Sequence, residues 1–272
     1  MYYSSRALVI KTLDYRESDK LVTLFSEREG KIRAIARGVK KPKSSLRACV
    51  QPFCHSQLFF SAQKELDLLT QGRVLEFYGN IREEMSRTLF AVYLMELLDK
   101  GLADRVAFPT LYKITLETLQ HLNNYGVNPL VLRYFELRLV QQLGYQPELE
   151  ACIKCGNKNC RRYNFSLADG GIVCQPCSAG IGTNHSLSGE ALAVMRLLLA
   201  HNIQVVNRVR ASQSALAQIE GLLEKYLEYH LERRFAVKDT IRILKNYKPR
   251  LTSRQTVDKL GEIQYISDDK EE

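Results

Sequence analysis

The chain has 272 residues, of which 45% are hydrophobic and 25% charged, and carries a net charge of +9. That balance excludes a disordered chain and leaves room for two or three modest domains with a real core. No apolar run approaches the roughly 18 residues of a membrane span. The opening MYYSSRALVIKTLDY alternates like a strand and has no apolar segment behind a basic head, so no signal peptide is read there. Seven cysteines, an odd number, argue for a reducing cytoplasm rather than a disulfide framework.

Residues 1–78 read as short strands: 6–13, 20–26, 31–37, 55–61 and 65–76, separated by Glu29-Gly30 and by the Gly38 to Pro42 stretch. Five strands in so short a span predict a small closed barrel, because closure removes exposed edges. Period two places Ile32, Ala34 and Ala36 on one face and Lys31, Arg33, Ile35 and Arg37 on the other. Residues 30–64 contain no acidic side chain, and Lys31, Arg33, Arg37, Lys40, Lys41, Lys43 and Arg47 fall in their first half. These seven are the candidate contacts to a polyanion, with DNA favoured, on a strand face followed by a flexible basic loop. Tyr2, Tyr3, Phe53, Phe59 and Phe60 are candidates for base stacking, although aromatics in strands more often fill cores.

From residue 79 the period becomes helical. Ile81, Met85, Leu89, Val92, Met95, Leu98 and Leu102 predict one apolar stripe nearly six turns long. A second helix is read over 109–123. A third begins at Asn128-Pro129, with Leu132, Phe135, Leu139 and Leu143 facing inward. The helical region spans 79–149 and resumes over 181–248, with helices from Ser188 to Ala200 and over 211–233. Residues 249–272 form a polar tail ending in Asp268-Asp269-Lys270-Glu271-Glu272. A second basic stretch, 233–254, holds eight cations against Asp239.

Between the helical segments, over 150–180, Cys152-x2-Cys155 and Cys174-x2-Cys177 are separated by eighteen residues. This is the spacing of a tetrahedral zinc site, and four thiolates close the shell, so the metal is read as structural. Lys154, Lys158, Arg161 and Arg162 either offset the site's charge of −2 or touch nucleic acid. Cys160 is read as a spare thiol or as a ligand exchanging with Cys155, and Cys49 and Cys54 as small core thiols. No enzyme is read in this chain. The H-x-E that precedes P-C-x-x-C in zinc deaminases is not in place, and neither a G-x-x-x-x-G-K-[ST] nor a G-x-S-x-G occurs.

The run Asp14-Tyr15-x-Glu17-Ser18-Asp19-Lys20-Leu21-Val22-Thr23-Leu24-Phe25 resembles the RecO family of bacterial recombination mediators. So do Gly30-Lys31-x-Arg33-Ala34-x-Ala36-Arg37-Gly38, Lys41-Pro42-Lys43-Ser44, Gln51-Pro52-Phe53, Leu143-Gly144-Tyr145-x-Pro147 and Cys152-x2-Cys155-Gly156. The resemblance implies a multidomain α+β protein: a five-stranded OB-fold barrel followed by an all-α domain with an embedded zinc module. It further implies binding of single- and double-stranded DNA, annealing of complementary strands, and cooperation with RecR in loading RecA onto DNA coated with single-stranded-DNA-binding protein. The acidic tail of that last partner is assigned to Arg133 and Arg138 on the third helix. The competing expectation is a zinc-ribbon transcription regulator, although no helix presents the Arg/Asn/Gln set of a base-reading helix.

Overall fold

The computed structural model describes residues 1–158, 162–179 and 185–235. Five strands close a barrel in the order β1-β2-β3-β5-β4: β1 Tyr2–Tyr15, β2 Asp19–Ser26, β3 Gly30–Ala36, β4 His55–Ser61 and β5 Asp67–Glu76. β1 pairs with both β2 and β4, and β3 with β5 in parallel, which is the Greek-key closure of an OB-fold. The barrel interior is filled by the inward residues of each strand, among them Val9, Val22, Leu24, Ile32, Ala34, Leu58, Phe60 and Leu69. β1 is long enough to serve both neighbours because an irregularity between Val9 and Lys11 lets it bend around the barrel.

The segment between β3 and β4 is not the flexible loop expected from its composition. It is a run of turns whose Val39, Leu46, Cys49 and Val50 enter the barrel core and plug its end. Its polar residues are thereby forced outward.

The helical part contains α1 Gly79–Glu83, α2 Met85–Gly101, α3 Pro109–Tyr125 and α4 Pro129–Gln142. After the cysteine module come α5 Gly189–Ala200, α6 Ile203–Val206 and α7 Gln213–Leu231. Local chemistry sets the starts: the Asn128 side chain accepts from Leu130 N–H, with Pro129 in the first turn, and Ser188 and Ser212 accept from Ala191 and Ala215. The single long first helix is corrected. The backbone turns extended at Glu84, and Met85 is exposed rather than part of the apolar face. In α2 the buried residues are Phe90, Ala91, Tyr93, Leu94, Met95, Leu97 and Leu98, because the helix is covered on several sides, not along one stripe.

The helices pack against the outside of the barrel, where Phe25 meets Tyr112 edge-on and the Tyr112 hydroxyl lies 2.9 Å from His55 Nε2. The segment after α2 presses on β3: Arg105 N–H donates to Lys31 O, and a side chain at Gly30 would strike the Val106 carbonyl. Gly30 has φ +69° as well, so the position is closed to other residues on two counts. Arg105 also reaches back to the fully buried Asp67 at 2.5 Å, and Asp67 accepts from Tyr3.

Candidate nucleic-acid interface and metal centre

Four of the seven candidate cations, Arg37, Lys41, Lys43 and Arg47, are exposed together on the outer surface of the plug that closes the barrel. The plug is stapled to the β1–β2 turn. Asp19 accepts from Gly38 N–H at 2.8 Å, and Lys40 N–H donates to Ser18 O at 3.0 Å. The Gly38 amide, with help from Ser18, Arg16 and Arg37, holds the Asp19 carboxyl below its usual range, so it stays ionised as an acceptor. The staple brings Arg16 to the same rim. Lys40 is half-buried and pairs with Asp14 at 3.0 Å.

The other two candidates lie lower on the barrel, where β3 meets the helices. Arg33 remains half-exposed, 3.5 Å from Asp104. Lys31 is only 6% exposed, and its Nζ donates to the Asp99 carbonyl at 2.7 Å and faces Asp104 at 3.3 Å. The expected period-two face is real, but the helical domain covers its lower end, so the Lys31 ammonium is committed within the chain. Of the aromatics, Tyr2 and Phe59 are exposed, Tyr3 stacks on the buried Phe60 at 4.9 Å, and Phe53 is core.

The cysteine module folds as two turns and a small sheet, β6 Tyr163–Ser166, β7 Gly171–Cys174 and β8 His185–Leu187, in the order β7-β6-β8. Gly156, at φ +73°, turns the chain after the first pair, and its N–H closes on Cys152 O. The sulfurs of Cys152, Cys155, Cys174 and Cys177 all lie within 4.8 Å of one another. A tetrahedral shell with metal–sulfur bonds of about 2.3 Å has edges of about 3.8 Å, so the four can hold one ion. Their protonation points the same way. Burial opposes ionisation of Cys152, yet the amides of Cys174, Cys155 and Lys154 outweigh it and hold the thiol down at about 6. Cys177, hydrogen-bonded to the sulfurs of Cys174 and Cys155, is pushed up to about 12. Once one thiol ionises its neighbours resist, and a cation relieves that conflict. Lys154 sits 3.4 Å from Asp169, and Lys158 and Arg162 are exposed, whereas Cys160 and Arg161 lie outside the described residues.

The two arginines assigned to a partner's tail differ. Arg133 is corrected to an interior residue: it is 3% exposed and pairs with the fully buried Glu136 at 3.2 Å, beside the Tyr93 hydroxyl. Arg138 is half-buried, donating to Gln141 and the His201 carbonyl while lying over the Tyr134 ring. The basic stretch 233–254 is described only for Arg233 and Arg234, which are exposed; its remainder lies outside the described residues.

The family model of Recombination protein O, N terminal, matches residues 1–78, and that of Recombination protein O, C terminal, matches residues 82–239. The chain belongs to the RecO family. It is 56% identical over 250 residues to the DNA repair protein RecO of Syntrophomonas wolfei, covering 92% of this chain and 100% of that protein. It is 33% identical to the DNA repair protein RecO of Bacillus pumilus, over 84% of this chain and 89% of that protein. With RecO of Symbiobacterium thermophilum the identity is 31%, over 90% and 98%. The motifs that resembled RecO divide by role in the fold. Asp19 and Gly38 build the rim, Gly30 admits the segment after α2, and Cys152, Cys155 and Gly156 form the first metal turn. Asp99, Asp104 and Arg105, which complete the seam, carry no motif or spacing that singles them out, because their partners lie far away in sequence.

Proposed function

We propose that this RecO-family chain is a bacterial DNA repair and recombination mediator that gathers DNA strands without breaking covalent bonds. In this reading the barrel rim binds single- and double-stranded DNA, complementary strands are annealed, and with RecR the protein helps load RecA onto DNA coated with single-stranded-DNA-binding protein. One observation carries it: Arg37, Lys41, Lys43 and Arg47 stand together on a plug anchored in the barrel core, in a stretch with no acidic residue. A strand is a polyanion, and two strands approach each other only if a cationic surface lowers their repulsion. The names of the relatives agree with this reading. The site is proposed to lie on Arg37, Lys41, Lys43 and Arg47, with Lys40 and Arg33 at its margin and Lys31 left out. The four sulfurs are proposed to hold one structural Zn2+, since an all-thiolate closed shell suits that ion and leaves no position for substrate. For the acidic partner tail only Arg138 is retained.

The work such a protein does places it in the cytoplasm; among the described residues no helix is long and apolar enough to cross a membrane. The test is annealing of two complementary oligonucleotides without any nucleotide cofactor, followed across a salt series. Four phosphate contacts on a single strand correspond to a log–log slope of about −3. Absence of annealing together with a flat salt dependence would overturn the reading.

A further inference from the structure

A cleft of about 460 Å³ opens where the start of β4 and the end of β5 meet α3 and α6, a size common among ligand sites. Neither the cationic rim nor the metal centre reaches it. His55 and Glu76 line it from the barrel, Glu117 and His121 from α3, and Asn207 from the residue after α6. Among the described residues no lysine or arginine lines it. Arg6, whose charge reaches His55, is turned to Glu27 at 4.0 Å.

The carboxylates of the cleft are not used up inside the chain. Glu76 Oε1 accepts the amides of Phe77 and Tyr78 at 3.0 and 3.1 Å, which leaves Oε2 over. Glu117 has no ion-pair partner among the described residues. The floor is unsatisfied as well. His121 is only 7% exposed, and Asn207 approaches its ring, but the contact is too poor for a hydrogen bond. His121 Nδ1 and Asn207 Oδ1 are both shut off from water without one. Buried polar atoms are seldom left so, and beside a cavity they mark a place for a ligand atom. Tyr125, 76% exposed, stands at the mouth with its ring centre 5.1 Å from that of His121.

We propose that this cleft is a docking pocket for an arginine side chain of a protein partner. A guanidinium is planar and always charged, forks its donors onto carboxylates and lies flat on aromatic faces. Glu76 and Glu117 supply the carboxylates, Asn207 an acceptor at the floor, and Tyr125 the face at the mouth. The same carboxylates repel phosphate, so DNA is not the occupant. A protein is favoured over a free small cation because exposed Gln120, Gln204 and Tyr125 ring the mouth. A polar rim with tyrosine around a buried arginine is the make-up of a protein interface. The pocket also lies away from the rim cations: His55 sits opposite Leu8, and β1 runs roughly 20 Å from Leu8 to Tyr15 at the rim. A partner held there leaves the rim free, and the inference does not depend on the DNA-binding reading.

The test titrates the full chain, with isotope-labelled histidine rings followed by NMR, against three probes. These are a short uncharged peptide carrying one arginine, the same peptide with citrulline in its place, and N-ethylguanidinium alone. The arginine peptide should shift the rings of His55 and His121 but not those of His185 and His230, which do not line the cleft. It should bind roughly tenfold or more tightly than the citrulline peptide. Glu76→Gln and Glu117→Gln should each weaken it by about tenfold, and Tyr125→Ala by a few fold, with Tm unchanged. The fold is spared because the amide oxygen in Glu76→Gln still accepts from Phe77 and Tyr78, and Tyr125 is exposed. Equal binding of the arginine and citrulline peptides, shifts at neither His55 nor His121, or full affinity in the variants would overturn the pocket. N-ethylguanidinium binding as tightly as the peptide would overturn the protein partner and assign the cleft to a small cation.

Discussion

Lys31 and Asp104 meet at 3.3 Å where the barrel joins the helical domain, and the Lys31 ammonium also holds the Asp99 carbonyl at 2.7 Å. One buried cation therefore ties β3 both to the end of α2 and to the segment beyond it. Lys31→Ala should leave that carbonyl without its donor, at a cost of about 1–3 kcal/mol. The expected result is a lower Tm, by roughly 2–4 °C per kcal/mol, with DNA affinity nearly unchanged. Calorimetry alongside a binding titration decides it, and a selective loss of DNA affinity would return Lys31 to the interface.

The same pair shows how far the sequence could be read. Alternation correctly put Lys31 and Arg33 on the outer face of β3, and the spacing of Cys152, Cys155, Cys174 and Cys177 correctly put four sulfurs together. Both are local patterns imposed by strand and turn geometry. Which part of an outer face is later covered depends on contacts distant in the chain, and that is where Lys31 and Arg133 were misplaced. The basic loop misled for a related reason. Its glycine, proline and lysine content reads as mobile, yet Val39, Leu46 and Val50 at irregular spacing are enough to plug the barrel.

Charge reversal on the rim should act oppositely to Lys31→Ala. Arg37→Glu combined with Lys41→Glu removes two phosphate contacts from exposed positions, so folding should be unaffected. On single strands the log–log salt slope should become shallower by about 1.4, with affinity falling most at low salt. Equal slopes in variant and wild type would show that phosphates lie elsewhere, with the exposed Arg233 and Arg234 the next positions to reverse.

Arg133 and Glu136 give a prediction about the helical domain alone. Both are buried on α4, one turn apart at 3.2 Å, next to Tyr93, whose hydroxyl is raised far above its ordinary value by burial and by Glu136. Removing one charge strands the other, so Arg133→Met should cost about 3–5 kcal/mol. The double substitution Arg133→Met with Glu136→Leu should recover most of that loss. A double-mutant cycle in denaturant measures it, and additive losses would refute coupling.

Acid sensitivity should come from histidines held neutral. Burial lowers the pKa of His55, His121, His185 and His230; at His55 the nearby Arg6 adds to the effect while Glu27 and Glu76 oppose it. The unfolded chain takes up these protons near pH 6.5, before the folded chain does. Stability is thus full above about pH 6.5 and declines as pH falls toward the lower folded values. His55→Gln keeps a hydrogen-bonding group near Tyr112 and should flatten the decline over that range. Melting curves for wild type and variant between neutral and mildly acidic pH provide the measurement.

The metal separates a staple from a catalyst. Cys174 sits at the end of β7 with its N–H on Cys152 Sγ, and Ile153 N–H donates to Ile172 O at 3.0 Å, so the ion would reinforce the join between the sheet and the first turn, Cys152–Cys155. The Cys174 and Cys155 sulfurs raise the Cys177 thiol while backbone amides lower that of Cys152, so four thiols gathered this closely resist ionising together unless a cation joins them. Chelation, or Cys174→Ser, should therefore release one equivalent of metal and lower Tm by several degrees. The barrel core lies in other residues, so rim binding to DNA should persist at temperatures where the module has loosened. A stoichiometric metal assay on the native protein, melting before and after chelation, and a binding titration on the stripped protein together test this. An unchanged Tm after complete removal would show that the ion does not hold the fold, and loss of DNA affinity without loss of stability would place it in the binding surface instead.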